Sequence, residues 1–277
     1  MRFLKKSYVF LIFAFLYAPI LVLMIFSFNE SKSRGNWGGF TLKWYMELLH
    51  DKQIMSALYY TLLVAVLSSV IATLIGIIAS IGIFNMKKLP QSIILNVNYI
   101  PILNPDIVTG ISLMVLFIFM KMRLGFVTLL LSHITFNIPY VILSILPKLK
   151  QMNKHLYEAA LDLGATPMVA FFKVILPEIM PGIITGFLLA FTLSLDDFVI
   201  SFFTTGSGVA NLSIVIYGMA RRGISPKINA LSTLMFLCVL MLLIIVNLRM
   251  SKDPERRLKS GASKENGRYI SSIGHDI

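Results

Sequence analysis

Glu158-Ala-Ala-Leu-Asp-Leu-Gly164-Ala-Thr-Pro-Met-Val-Ala-Phe-Phe-Lys-Val-Ile-Leu-Pro177 is a short, polar, two-helix pattern lodged between long apolar runs. Leu156, Ala159, Ala160 and Leu163 recur at helical spacing, which predicts a short amphipathic helix. Gly164 permits the left-handed turn that ends it. Thr166 followed by Pro167 reads as an N-cap and a first-position proline, so a second helix starts there, with Met168, Phe171 and Phe172 on a greasy face. Pro177 and Pro181 mark entry into the next apolar run. An amphipathic connector lying on a membrane surface would share this pattern. A chain of lipid-soluble helices has more reason to keep such an insert where something docks on it.

Working outward, the flanking sequence excludes an ordinary water-soluble domain. Hydrophobic residues make up 57% and charged ones only 14% of the 277 residues, and the mean hydropathy is +0.80. No charge falls in residues 7–29, 53–86, 124–147 or 228–248, and acidic residues interrupt two further apolar stretches, 91–120 and 179–203. About 20 apolar residues cross a bilayer, and backbone groups cannot go unpaired in lipid. The chain therefore reads as an all-α membrane protein with six transmembrane helices, near 8–28, 57–83, 92–119, 124–147, 179–203 and 229–249. Residues 1–250 form the membrane domain with its insert at 151–177, and the polar, basic 251–277 reads as a disordered tail.

The net charge of +12 is mainly a topology signal, not a nucleic-acid one. With a cytoplasmic N-terminus, 16 of the 25 Lys and Arg residues fall inside, including the tight Lys87-Lys88 loop. The tail then also lies inside. Lys121 with Arg123, and Arg221 with Arg222, fall outside against that trend. The first apolar run is too long for a signal-peptide core, and no small-residue cleavage site follows it. The lone Cys238 excludes an intrachain disulfide, and no His/Cys/acid cluster has metal-ligand spacing. The chain holds no G-x-x-x-x-G-K-[ST], so it carries no P-loop of its own.

Three carboxylates fall within predicted spans. Asp106 follows Pro101-Ile-Leu-Asn-Pro105, where two prolines favour a kinked or unwound span. Asp196 and Asp197 lie in Ser194-Leu-Asp-Asp-Phe-Val. Adjacent helical residues point about 100° apart, so one of the pair faces a cavity and the other caps a helix or finds a protein partner. An interhelical hydrogen bond is the plainer role for each acid. Against it, the six predicted span cores hold no Lys or Arg, so the acids form a cation-attracting path. His133 reads as a buried, hydrogen-bonded histidine more than as a proton relay. Trp37, Phe40, Trp44 and Tyr45 in the 29–56 loop read as an aromatic belt, or as cation-attracting faces with Trp44 on the substrate path. The 204–228 loop, with Gly206, Gly208 and the Leu212–Tyr217 run, reads as a re-entrant or surface helix.

Glu158, Ala159, Ala160, Gly164, Leu176 and Pro177 together resemble the EAA loop of the ABC-importer permeases. Ser27-Phe-Asn29, Gly39-Phe-Thr-Leu-Lys-Trp44-Tyr45, Pro105-Asp106-Ile-Val, Leu124-Gly-Phe, Ser132-His-Ile-Thr-Phe136 and Ser194-Leu-Asp-Asp-Phe-Val are similar to the polyamine-type members of that family. The likeness runs over about residues 8–250; Val174 and Asn104 depart from the pattern, where isoleucine and serine are usual, and the tail is longer. The resemblance implies the type I importer permease fold, with a cytoplasmic coupling loop in which Glu158, Ala159, Ala160 and Gly164 meet a separate ATPase. It implies a bacterial inner-membrane subunit that is not itself an enzyme and binds no cofactor, ATP being used by the partner. The implied assembly adds a homologous second permease, an ATPase dimer and a periplasmic binding protein, with spermidine or putrescine passing Asp106, Asp196, Asp197 and Trp44. A permease for another small solute of this class, or an ion-gradient-driven secondary transporter, is the alternative.

Overall fold

The computed structural model describes residues 2–31, 36–223, 226–241 and 244, and these are helical, with one isolated bridge between Asn29 and Phe40 and no strand among them. The chain divides into two units: residues 25–229, and a unit combining the first 24 residues with residues from 230 onward. In the latter, α1 (Arg2–Phe26) includes the membrane-length apolar stretch Lys6–Phe26. The apolar helix α12 (Pro226–Met241) covers the first part of the expected sixth span. The rest of that span, and the tail at 251–277, lie outside the described residues.

The larger unit is built on three long helices: α3 (Lys52–Asn85), α6 (Phe126–Gln151) and α9 (Leu176–Asp196). Ala72, Val141, Ile145, Leu149, Ile179, Ile183 and Ala190 form their common core. Burying such side chains contributes roughly 1.5–3 kcal/mol each in water, but between helices in lipid close van der Waals fit matters more. Gly182 provides that fit: a Cβ there would stand 2.8 Å from the Ser144 carbonyl oxygen and 3.2 Å from Ile145 Cα, both backbone atoms of α6. α3 and α6 run in the same direction and α9 against them. The C-terminal ends of α3 and α6 therefore meet the start of α9.

Two expected spans are broken. The stretch expected as one span near 92–119 is α4 (Lys88–Leu103) and α5 (Asp106–Phe119), bent by 104°. Pro105 has no N–H to donate and disfavours helix at Asn104, which is extended at φ −77°, ψ 142°. The fifth expected span, near 179–203, is shifted. A continuous 30-residue helical run extends from Pro167 to Asp196, and Asp197 (φ −61°, ψ 123°) then separates α9 from the short α10 (Val199–Thr204). Four described helices are thus long and apolar enough to cross a membrane, or five if the bent pair is one span, where six crossings were expected.

Candidate translocation path and coupling surface

At the end of the core where α9 stops, polar side chains close a network. The Asp197 carboxylate accepts the amides of Ile200 (3.2 Å) and Ser201 (2.8 Å), the first free donors of α10. His133 Nε2, from α6, lies 3.0 Å from Ser201 Oγ and 3.5 Å from Asp197 Oδ2. Asn211, the N-cap of α11 (Leu212–Arg222), donates through Nδ2 to Ser201 Oγ (2.6 Å) and to the Asp197 carbonyl (2.9 Å). The next amide, Leu212 N–H, donates to Thr61 Oγ1 on α3 (2.7 Å). A second cluster one layer deeper joins Ser68, Asn137 and Ser194, with Asn137 Nδ2 donating to Ser194 Oγ at 2.8 Å. The side chains of His133 and Asp197 are only 2% and 8% exposed.

The neighbouring acid points the other way. Asp196, the last residue of α9, is exposed. Asp106 is likewise exposed, as the first residue of α5 after the break at Pro105, and Tyr140 on α6 lies within electrostatic reach of it. One turn along α5, Gly110 packs against Val199, Ile200 and Phe203 of α10. The two broken helices are therefore neighbours, each leaving one carboxylate open. Trp44 is different. It lies in α2 (Lys43–His50), 4% exposed, and its indole N–H donates to the Asn29 carbonyl at 2.8 Å. Lys43 stands over its ring at 5.7 Å. Trp44, expected as a face on the substrate path, is enclosed by the loop it helps to hold. Beside it, Lys227 pairs with Asp51, the N-cap of α3, and that ammonium, donating to the carboxylate, holds Asp51 below its ordinary pKa.

The opposite end carries the 151–177 insert. α7 (Lys154–Asp162) is capped by Asn153, whose side chain accepts His155 N–H. Gly164 follows at φ +82°, a conformation that costs other L-residues strain. Thr166 then caps α8 (Pro167–Ala170), with Pro167 in its first turn. A π-helical turn, Phe171–Ile175, joins α8 to α9. Glu158 is 67% exposed and contacts only His155 within its own helix (3.2 Å) among the interactions described. Ala159 and Gly164 are exposed and Ala160 is half-buried. Leu163 is 89% exposed, and Leu156, Met168 and Phe172 are exposed as well. Below them a cavity of about 570 Å³ is lined by Phe84 and Met86 of the α3 end, Met152, and Tyr157, Glu158 and Phe171 of the insert.

Sequence reasoning singled out His133 and the acids but missed Thr61, Ser201 and Asn211. Asn211 carried a readable signal, an N-cap residue immediately before an apolar run.

The comparisons agree with this architecture. Residues 72–252 match the binding-protein-dependent transport system inner membrane component family. The chain is 39% identical over 243 residues to the spermidine/putrescine transport system permease protein PotC of Escherichia coli (strain K12), covering 88% of this chain and 92% of that one. It is 42% identical over 229 residues to the putrescine transport system permease protein PotI of the same organism, covering 80% and 82%. A chain of the bacterial alginate ABC transporter, solved in complex with an alginate pentasaccharide-bound periplasmic protein, superposes with a TM-score of 0.66 at 17% identity, over 88% of this chain and 90% of that one. The MetNI methionine ABC transporter gives a TM-score of 0.56 at 20% identity, over 71% and 95%. The fold is that of an ABC-transporter membrane subunit, and the chain belongs to the binding-protein-dependent transport system inner membrane component family. It is a multi-pass membrane protein and a transport subunit, not an enzyme.

Proposed function

We propose that this chain is one permease of an ATP-driven importer that carries polyamines, spermidine or putrescine, into a bacterial cytoplasm. The observation that carries the substrate reading is the pair of open carboxylates, Asp106 and Asp196, each at a break in a membrane-depth helix. Neither 89–120 nor 174–220 contains a Lys or Arg that could neutralise them. A carboxylate at bilayer depth costs on the order of 2.5–3.5 kcal/mol, and a passing ammonium offsets part of that cost. The names of the two relatives at 39% and 42% identity point to the same cargo.

The assembly follows from which surfaces stay open. The second permease covers the exposed apolar faces of α4 and α5. The binding protein meets the end that carries Trp44 and α11. The ATPase dimer takes the insert, with Glu158 as polar anchor and Ala159, Ala160 and Gly164 giving close approach. The N-terminus and tail lie on the ATPase side. ATP binding closes the ATPase dimer and moves α7 and α8. That movement passes along the helical run from Pro167 to Asp196, about 45 Å at 1.5 Å per residue, and switches the cavity between its two openings. Binding at the acids stays weak, because the site must also release.

Labelled spermidine and putrescine uptake in cells lacking this chain tests the reading. Restoration of uptake by the chain supports it. Uptake that never depends on the chain moves the substrate to another small solute, and uptake that survives ATP depletion in vesicles replaces the mechanism with an ion-driven one.

A further inference from the structure

Asp196 and Asp197 are adjacent carboxylates, yet the fold treats them oppositely, leaving Asp196 exposed and enclosing the Asp197 side chain. Asp197 spends its two carboxylate oxygens on the amides of Ile200 and Ser201, so it accepts protein donors instead of facing open space. Its own carbonyl is held by Asn211. Ser201 Oγ is the hub: it meets His133 from α6 and Asn211 from the start of α11. These groups draw α6, α10 and α11 onto the two-residue break that separates α9 from α10.

We infer that His133, Asp197, Ser201 and Asn211 are positioning residues: they lock the α9–α10 break so that Asp196 alone is presented to the path. The inference deepens the polyamine reading by assigning the two acids separate jobs, and it rests on that reading only for the identity of the cargo. Without the lock, the amides of Ile200 and Ser201 lose their acceptor. α9 can then continue through residue 197, as the sequence Phe198–Phe203, which holds no proline or glycine, permits. That continuation redirects Asp196. What matters at 197 is the pair of acceptors; asparagine keeps one of the two and alanine neither, so asparagine should fall between the parent and alanine.

Two readouts test this in the full transporter assembly, each normalised to membrane level. The first needs no substrate. In a Cys238→Ser background, Asp196→Cys is reacted with a cationic, membrane-impermeant thiol reagent, and Asp197→Ala, Asp197→Asn or Ser201→Ala is added. The lock predicts rapid labelling at 196, changed about tenfold by Asp197→Ala, since a buried donor left unmade costs enough for that. Asp197→Asn, which keeps one acceptor of the two, should change the rate less than Asp197→Ala. Ser201→Ala keeps its backbone amide and gives a smaller change in the same direction. Labelling at 196 that is indifferent to all three variants overturns the lock, as does faster labelling of Asp197→Cys than of Asp196→Cys.

The second readout is labelled spermidine uptake. Asp196→Asn and Asp197→Ala should each lose about tenfold, and the double variant should lose no more than either, because both remove the same presented group. Asp197→Asn should lose less uptake than Asp197→Ala. Multiplying losses, or an Asp197→Asn uptake defect without a matching change in labelling at 196, would mean that Asp197 contacts the cargo itself. Failure of the parent chain to carry spermidine sinks the substrate reading, while the thiol result still decides the lock.

Discussion

The two ends of the α3–α6–α9 core are finished differently. Where α9 stops, Asp197, Ser201, Asn211 and His133 are joined in one polar network, Thr61 on α3 accepts the amide of Leu212 beside it, and Trp44 is bonded into its own loop. At the other end, Glu158 is bonded, among the described residues, to His155 on its own helix, and Leu163, Met168 and Phe172 stand in the open beside a cavity of about 570 Å³. Buried polar groups must find partners within the fold. Exposed apolar groups clustered on short helices mark a surface that another protein covers. One end is thus closed by polar contacts and the other leaves the surface that we propose the ATPase covers, the two linked by the helix from Pro167 to Asp196.

The contrast is broken most severely at its shared axle. Gly182→Leu drives a side chain into the Ser144 carbonyl, and overpacking against backbone costs about 1–3 kcal/mol or more. The expected result is a collapse of inserted protein, read by membrane level and thermal stability, with both ends lost together. Gly164→Val acts next, and only at the partner-facing end. A β-branched residue at φ +82° carries roughly 1–2 kcal/mol of strain, so α7 and α8 should change their mutual angle without unfolding the core. ATP hydrolysis should then run without uptake. Normal uptake by that variant would contradict the coupling role of the insert.

A smaller effect sharpens the difference between ends. Glu158→Ala should leave the melting temperature unchanged, within about 0.5 kcal/mol, because the residue is exposed. It should weaken assembly with the ATPase severalfold, measured by co-purification. A melting change of the size expected for a buried residue would show that the insert is part of the core. The smallest effect is at Asp51. Its pKa is lowered chiefly by the hydrogen bond from Lys227, so folding favours the carboxylate form. The pair's contribution is therefore complete above the ordinary value of 3.8 and fades as pH falls below it toward the folded pKa. Partial exposure limits it to about 0–1 kcal/mol. Lys227→Ala should flatten that acid limb of the stability curve and leave neutral-pH uptake intact.

Legibility in the sequence followed the range of the interactions. Gly164, Thr166 and Pro167 act through their own backbone, so the two short helices of the insert were readable from local pattern. The break before Asp106 was readable in part, because Pro105 announces it, though the 104° bend exceeds a kink. The break after Asp196 was not, since Phe198–Phe203 continues the apolar run, and its partners lie 14 residues ahead at Asn211 and, from Ser201, 68 residues back at His133. The burial of Trp44 was not readable for a related reason. Composition places aromatics at a membrane surface, but only the fold shows that this one is bonded inward to Asn29.

The most direct measurement is spermidine uptake by the assembled transporter carrying Asp196→Asn, beside the unaltered chain at matched membrane levels. The account predicts uptake by the unaltered chain and a loss of about tenfold in the variant, set by the transition-state energy one removed charge contact supplies at this depth. Equal uptake by the two would contradict the claim that an open carboxylate at the end of α9 carries the cation across.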